Sequence, residues 1–481
     1  MLTERSFKQW QNQHLFSAGL PQTATLESIR ASSTALFTAV ILVAALIMPG
    51  KEAFHEMCHS RFSGLVASVM FDRFHTLDDI RGLCIAAYWE PHLSWKLSGL
   101  SIRMATELNL HHAFYEAFNE PEITSEARKE CLEKARLWYL LYILDHQSSV
   151  TYSRPPVMSD ELRPIRDYEI LMASEHCEAA DQGLLAEVTG LVTLSRAFKF
   201  FGLEPRRTMS GDDASVLNHL RFTEKLQVWQ DRWRTANSPT QLSQAVELHY
   251  NFSNLVLNSL VLRGRPLDKI VDMPASLRPL ALKAIEAAHA VLQQFLDEPR
   301  YKQEIVGMPL YLHSMIAFAV VFLMKMSCRW HMIGITIDPT QRTIPLVEEI
   351  IKLLQSCNAG SNHTIFSMAK GFERMLRQLR RNAAINVQGP SPGINGPSNW
   401  PPMQSPTNGT SLAQTTANYA FGQPLFSPTS QIQINHESPN SAFSHGNWGF
   451  QDEELWSMGL GYDLLEPGGQ MNADFNFQIF S

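Results

Sequence analysis

Residues 92–114, HLSWKLSGLSIRMATELNLHHAF, and 135–160, ARLWYLLYILDHQSSVTYSRPPVMSD, decide how the chain is read. In the first, Leu93, Leu97, Leu100, Met104 and Leu108 recur every three or four positions, which lines one face of an α-helix and calls for a partner surface. Gly99 would let another backbone come close. In the second, Leu132, Ala135, Trp138, Leu141 and Leu144 repeat the spacing. Thr124 or Ser125 with Glu126 offers the N-cap oxygen and first-turn acid of a helix start, and Pro155 with Pro156 stops the helix.

The pair of segments resembles the middle homology region of fungal zinc-cluster (Zn2Cys6) transcription factors, and within that family its PrtT-like subgroup. Gly99, Ser101, Arg103, Ala105, Leu108, Leu110 and His111 follow the family pattern G-x-A-x-R-x-A-x-x-L-x-L-H, with Ser101 at the first alanine. Arg136, Trp138 and Asp145 follow its second pattern, which ends in G-R-P-P and is met here by Arg154, Pro155 and Pro156. Ser153 stands where the family has glycine, a less tolerant residue if φ is positive there. The resemblance implies an all-α, multi-helix regulatory domain, a role in transcription and a nuclear location.

The rest of the chain fits such a domain. From Thr34 onward apolar residues keep a helical period, with short breakers such as Pro49-Gly50 and Pro91 between segments and no convincing alternating strand. Helices are expected over 34–48, 53–70, 77–89, from near Gln182, and over 212–234, 242–262, 276–296, 310–330, 344–357 and 362–381. Residues 162–178 read as irregular and acidic. The last helix should turn Ile365, Met368, Phe372, Met375, Leu376 and Leu379 inward and Arg374, Arg377, Arg380 and Arg381 outward. Residues 35–48 and 315–324 are strongly apolar runs, each shorter than the roughly 18–20 residues of a membrane crossing, and read as buried core helices; no membrane partner is expected.

Charge divides the chain. After Arg381 there is no lysine or arginine, and the tail's Glu437, Asp452, Glu453, Glu454, Asp463, Glu466 and Asp474 account for the whole formal charge of −7. The neutral remainder has no electrostatic footprint for a phosphate backbone. Four regions are expected: a polar N-terminal segment 1–33, the helical domain 34–382, a disordered Pro/Ser/Asn-rich linker 383–447, and an acidic-aromatic segment 448–481. In the last, Trp448, Phe450, Leu455, Trp456, Leu460, Tyr462, Leu464 and Leu465 are interleaved with acids, the composition of disordered activation segments that dock hydrophobic grooves of coactivators.

The six cysteines, Cys58, Cys84, Cys131, Cys177, Cys328 and Cys357, have no short spacing, which excludes a zinc cluster in this sequence and a dense disulfide framework. No cofactor is expected in the chain; zinc would enter only with an upstream cluster. DNA would then be reached through a module outside this sequence or through a DNA-binding partner, including homodimers or heterodimers with family members. A helical interaction protein that modulates a full-length family member is the alternative. His55, Glu56 and His59 form an H-E-x-x-H pattern without a third ligand downstream, and His111 with His112 and Glu107 cannot all face one ion, because adjacent helical residues diverge by about 100°. No catalytic site is expected. Arg103, Asp145 and Arg154 should lock the two motif helices to the proline turn through ion pairs and backbone caps, with an effector pocket as their other reading.

Overall fold

The computed structural model describes residues 14–20, 24–70, 74–152, 154–202, 207–234, 239–265, 273–327 and 340–387. Residues 388–481, with the acidic-aromatic side chains from Trp448 to Leu465, lie outside them, as do Ser153 and Cys328. Among the described residues there are α-helices, short 3-10 turns and no strand. The first half comprises α1 (Leu26–Ser32), α2 (Thr34–Ile47), α3 (Glu52–Val69), α4 (Leu77–Trp89), α5 (Pro91–Glu107), α6 (Leu110–Asn119), α7 (Ser125–Tyr152), α8 (Arg163–Arg166), α9 (Glu169–Ala173) and α10 (Ala179–Phe201). The second comprises α11 (Asp213–Trp233), α12 (Thr240–Ser259), α13 (Arg278–Asp297), α14 (Pro299–Glu304), α15 (Leu310–Ser327), α16 (Thr340–Gln355) and α17 (Thr364–Val387).

Side-chain caps fix where several helices begin. The Ser33 hydroxyl accepts from the Leu36 amide and donates to Asp79 Oδ1 at 2.7 Å, so one cap also ties α2 to α4. Thr76 and Asp79 complete a capping box at the start of α4. At α7, Thr124 Oγ1 accepts from the Ala127 amide.

Each half is built round a helix buried on nearly all sides. In α7, about 42 Å long at 1.5 Å per residue, every side chain from Leu137 to Ser148 is buried. An amphipathic stripe cannot explain that; a helix packed from every direction can. In the second half α15 plays this part, with every residue from Tyr311 to Ser327 buried except the half-buried Phe318, among α13, α16 and their neighbours. By length and composition α15 could cross a membrane, but 89% of it is buried inside this fold. The two central helices touch, and the Trp89 indole donates to the Gly307 carbonyl at 3.1 Å across the seam between the two cores.

Several elements differ from what the sequence predicts. The first motif does not lie on one helix: Asn109, at φ +57°, ends α5 and starts α6, so His111 belongs to α6. The buried face of α5 is rotated toward Ser94, Ser98 and Ser101, while Leu93, Leu100 and Leu108 are half-buried; small side chains let the neighbouring helices pack close. Residues 162–178 contain α8 and α9, each too short to show a period. Ahead of Thr34, Leu15, Leu20 and Ile29 are fully buried in the first core. In α17 the inward set from Ile365 to Leu379 is buried and Arg374, Arg377, Arg380 and Arg381 are exposed, as their spacing predicts.

Gly99 is not a close-approach position, because a Cβ there would meet nothing within 4 Å. Gly82 is one: its Cβ would lie 2.8 Å from both Cα and N of Leu36, backbone that cannot swing aside. Gly82→Ala is therefore expected to lower the thermal midpoint, at about 1–3 kcal/mol for overpacking. Gly99→Ala should raise it by up to about 1 kcal/mol through helix propensity. Paired thermal melts distinguish the two.

Candidate functional site

The second motif forms a polar knot at the C-terminal end of α7. Prolines 155 and 156 end the helical ladder, and the amides of Val157 and Met158 beyond them both donate to Asp145 Oδ2, at 2.8 and 2.7 Å. Burial pushes the Asp145 carboxyl up, and these two donors draw it back only in part. The Arg154 guanidinium lies 4.8 Å from the centre of the Trp95 ring on α5, so the turn is pinned from both motif helices. Pro155 is exposed and Pro156 half-buried. Arg103 takes no part: it is exposed on α5 and makes no hydrogen bond or ion pair among the described residues, contrary to the locking role its motif position suggests.

Asp160 is the centre of the knot and carries no motif signal. Its carboxylate is fully buried and takes Tyr142 Oη at 2.8 Å, Lys199 Nζ at 2.7 Å and Ser195 Oγ at 3.1 Å, with His146 Nε2 at 3.3 Å. Burial alone would raise its pKa; the bonds from His146, Lys199 and Tyr142 outweigh burial and hold it well below the usual carboxylate range. Lower on α7, Arg136 grips Asp181 through two parallel bonds of 2.8 Å and also reaches Glu178, fixing the start of α10. Trp138 is buried with its ring 5.6 Å from His111, so the two motifs meet at these side chains, which explains His111 without a metal.

The H-E-x-x-H residues do not assemble a zinc site. His55 Nε2 is engaged by Glu90 at 2.8 Å, the His59 ring is 6.3 Å from that of His55, and Glu56 is exposed. No group of three or more His, Cys, Asp or Glu side chains arranged to hold a metal occurs among the described residues.

A second feature lies where the two cores meet: a cavity of about 360 Å3 lined from α4 (Tyr88), α7 (Gln147), α10 (Glu187), α12 (His249), α14 (Arg300, Tyr301) and α15 (Tyr311). Gln147 Nε2 donates to Glu187 Oε2 at 3.0 Å, and His249 Nε2 stands 3.5 Å from Glu187 Oε1. Burial pushes the Glu187 carboxyl up to about 8 and the His249 imidazole down to about 4, so each is drawn toward its neutral form. Arg300 is paired with Glu304 at 3.0 Å. The hydroxyl of Tyr301, a residue only 3% exposed, has no partner among the described residues. Sequence reasoning missed this group because its members are far apart in the chain. One signal was present: Glu187 lies three residues after Leu184 and four before Leu191, on an otherwise apolar stripe.

Comparison with known proteins follows the helical body. Residues 5–379 match the family described as the transcriptional activator of proteases prtT middle domain. The chain is 33% identical over 385 residues to the "Transcriptional activator of proteases prtT" of Emericella nidulans, an alignment covering 78% of this chain and 57% of that protein. It therefore spans a little over half the length of that curated relative.

Two outcomes are expected from the buried charges. Asp160→Asn should cost about 1–3 kcal/mol in urea unfolding, since it weakens the bonds that Tyr142, His146, Ser195 and Lys199 make to a buried carboxylate. Lys199→Met should cost about 1 kcal/mol or less, because the lysine side chain is 49% exposed and Asp160 keeps three donors. The second outcome concerns pH. Glu187, with a folded value of about 8 against 4.5, binds a proton in the fold that the unfolded chain has lost, so stability falls as pH rises from 4.5 toward 8. His219, His249, His289 and His313, lowered from 6.5 to about 4, act oppositely, and their effect is confined to pH below 6.5. The urea midpoint should therefore fall between pH 6.5 and 8 in the parent chain and stay flat across that window in Glu187→Gln.

Proposed function

Because the chain belongs to the PrtT-like middle-domain family of fungal transcriptional activators, we propose that it is a transcription regulator whose helical body controls the acidic-aromatic segment at 448–481. The match over residues 5–379 carries this reading. Protease genes, within the control of a metabolic pathway, are the target class that the relative's name supplies. The chain acts in the nucleus. DNA contact comes from a zinc-cluster module outside these 481 residues or from a family partner that bears one. The even balance of charge in the body and the wide spacing of the six cysteines both support that division of labour.

The proposed mechanism is a population shift. In one state the activating segment is withheld from coactivators, in the other it is presented, and whatever binds the body more tightly in one state moves the balance. The helical body holds the two-state element, residues 383–447 link it, and the large apolar side chains of 448–465 make the coactivator contact. Acids 452–454, 463 and 466 keep those side chains in water until then.

Tethering residues 383–481 to an unrelated DNA-binding domain tests the activating role. The fusion is expected to switch on a reporter, and replacing Trp456, Leu460 and Leu464 together by alanine should remove most of the signal. A silent reporter with an expressed fusion would count against activation and favour a helical interaction protein that modulates a family member. Fusing residues 1–481 in the same way should give a weaker signal than the tail alone if the body withholds the segment.

A further inference from the structure

The seam cavity has the volume and lining of a small-molecule site. At about 360 Å3 it falls within the roughly 300–1,000 Å3 of such pockets and is too small for a folded partner or a long peptide. Its walls are mostly aromatic and aliphatic, including Phe16, Leu242 and Leu248, with a few polar groups converging on it.

One of those groups is incompletely matched. Glu187 accepts one hydrogen bond, from Gln147, while its second oxygen faces a His249 nitrogen at 3.5 Å, beyond good hydrogen-bond length. Arg300 is taken up by Glu304, and the nearest group that could carry a positive charge is His249, whose imidazole burial holds down at about 4. The Tyr301 hydroxyl has no partner among the described residues but is closed off from the cavity, where only the rest of its side chain is wall. Tyr88 and Tyr311 line the same space as Glu187. A carboxyl with no lysine or arginine on it, in a pocket with aromatic walls, is how proteins receive organic ammonium groups. A ligand carboxylate would find no unpaired cation there.

We propose that this cavity binds a small organic amine, its ammonium paired with Glu187 and its apolar part against Tyr88 and Tyr311, which line the same space. No covalent step is involved. As the ammonium arrives, the Glu187 carboxyl gives its proton to solvent, the carboxylate pairs with the ligand, and Gln147 continues to donate to it. His14, His249 and Arg300 are the other titratable or charged groups facing the space; the two histidines are held neutral at pH 7 by burial. The site rests on the cavity and does not depend on the transcriptional reading.

Calorimetry of the full chain with tyramine tests it, with tyrosol, the same skeleton bearing an alcohol in place of the amine, as the neutral match. Tyramine is expected to bind with a Kd of about 1 mM or tighter and tyrosol at least about tenfold more weakly. Titrations in buffers of different ionisation enthalpy should show close to one proton released per tyramine at pH 7. Glu187→Gln should abolish both the preference and the release, and at pH 6.5 it should melt no lower than the parent, since it needs no proton on folding. Tyr301→Phe, whose lost hydroxyl is closed off from the cavity, should leave tyramine binding unchanged, and the tyrosol comparison with the proton release of the parent chain carries the test if Glu187→Gln does not fold. Absence of saturable tyramine binding in this range, tyrosol binding equally well, or binding that Glu187→Gln does not alter overturns the proposal.

Discussion

The burial of α7 on every side between Leu137 and Ser148 is the constraint to which the rest of the first half answers. Charged groups on a stretch so enclosed need partners from within the protein, because a buried unpaired charge costs several kcal/mol. At its end the chain meets Pro155 and Pro156, which cannot continue the hydrogen-bond ladder, and the next amides need an acceptor. Asp145, about two turns before the end of α7 at 3.6 residues per turn, supplies it to Val157 and Met158. The proline pair and the aspartate are thus one device that turns the chain while leaving no backbone donor exposed to the core. Asp160 extends it, drawing Tyr142 and His146 of α7 and Ser195 and Lys199 of α10 onto one carboxylate.

The seam between the cores follows from the same architecture. Each half is close-packed round its own central helix, yet where α7 approaches α15 the lining comes from helix ends as well as helix sides. Tyr88 sits one residue from the end of α4, Tyr301 at the third residue of α14, and Tyr311 at the second of α15. Large rings anchored at helix ends cannot interdigitate as ridges and grooves do, and a volume with polar groups at its wall is left between them.

Much of this fold is legible in sequence because helix period and proline or glycine breakers act locally. The start of α7, the inward face of α17 and the end of α4 at Trp89 follow from residues within a few positions of them. What is not legible depends on a partner element. Asn109 adopts a left-handed conformation to turn α6 against α7, and nothing in Leu108-Asn109-Leu110 distinguishes it from a continuing helix. Gly99 and Gly82 look alike in a helical pattern, and only the position of Leu36 separates them. Asp145 could be assigned a structural part from its motif, whereas Asp160, outside any motif, holds more partners. Arg103 shows the converse, a motif residue that the fold leaves on the surface.

The knot and the cavity share a helix pair. Arg136 holds Asp181, Gln147 holds Glu187, and Asp160 gathers Tyr142 and His146 of α7 with Ser195 and Lys199 of α10, so three polar ties join the two helices. Two of them join charged partners: one is a bidentate guanidinium–carboxylate pair, the other a carboxylate with an ammonium on it. The Gln147 tie joins an amide to an acid whose pKa burial raises, and it is the weakest of the three. Gln147 is two residues from Asp145, which caps the proline turn, and adjacent to His146, which faces Asp160. The seam and the proline turn are thereby anchored on one close-packed stretch of α7.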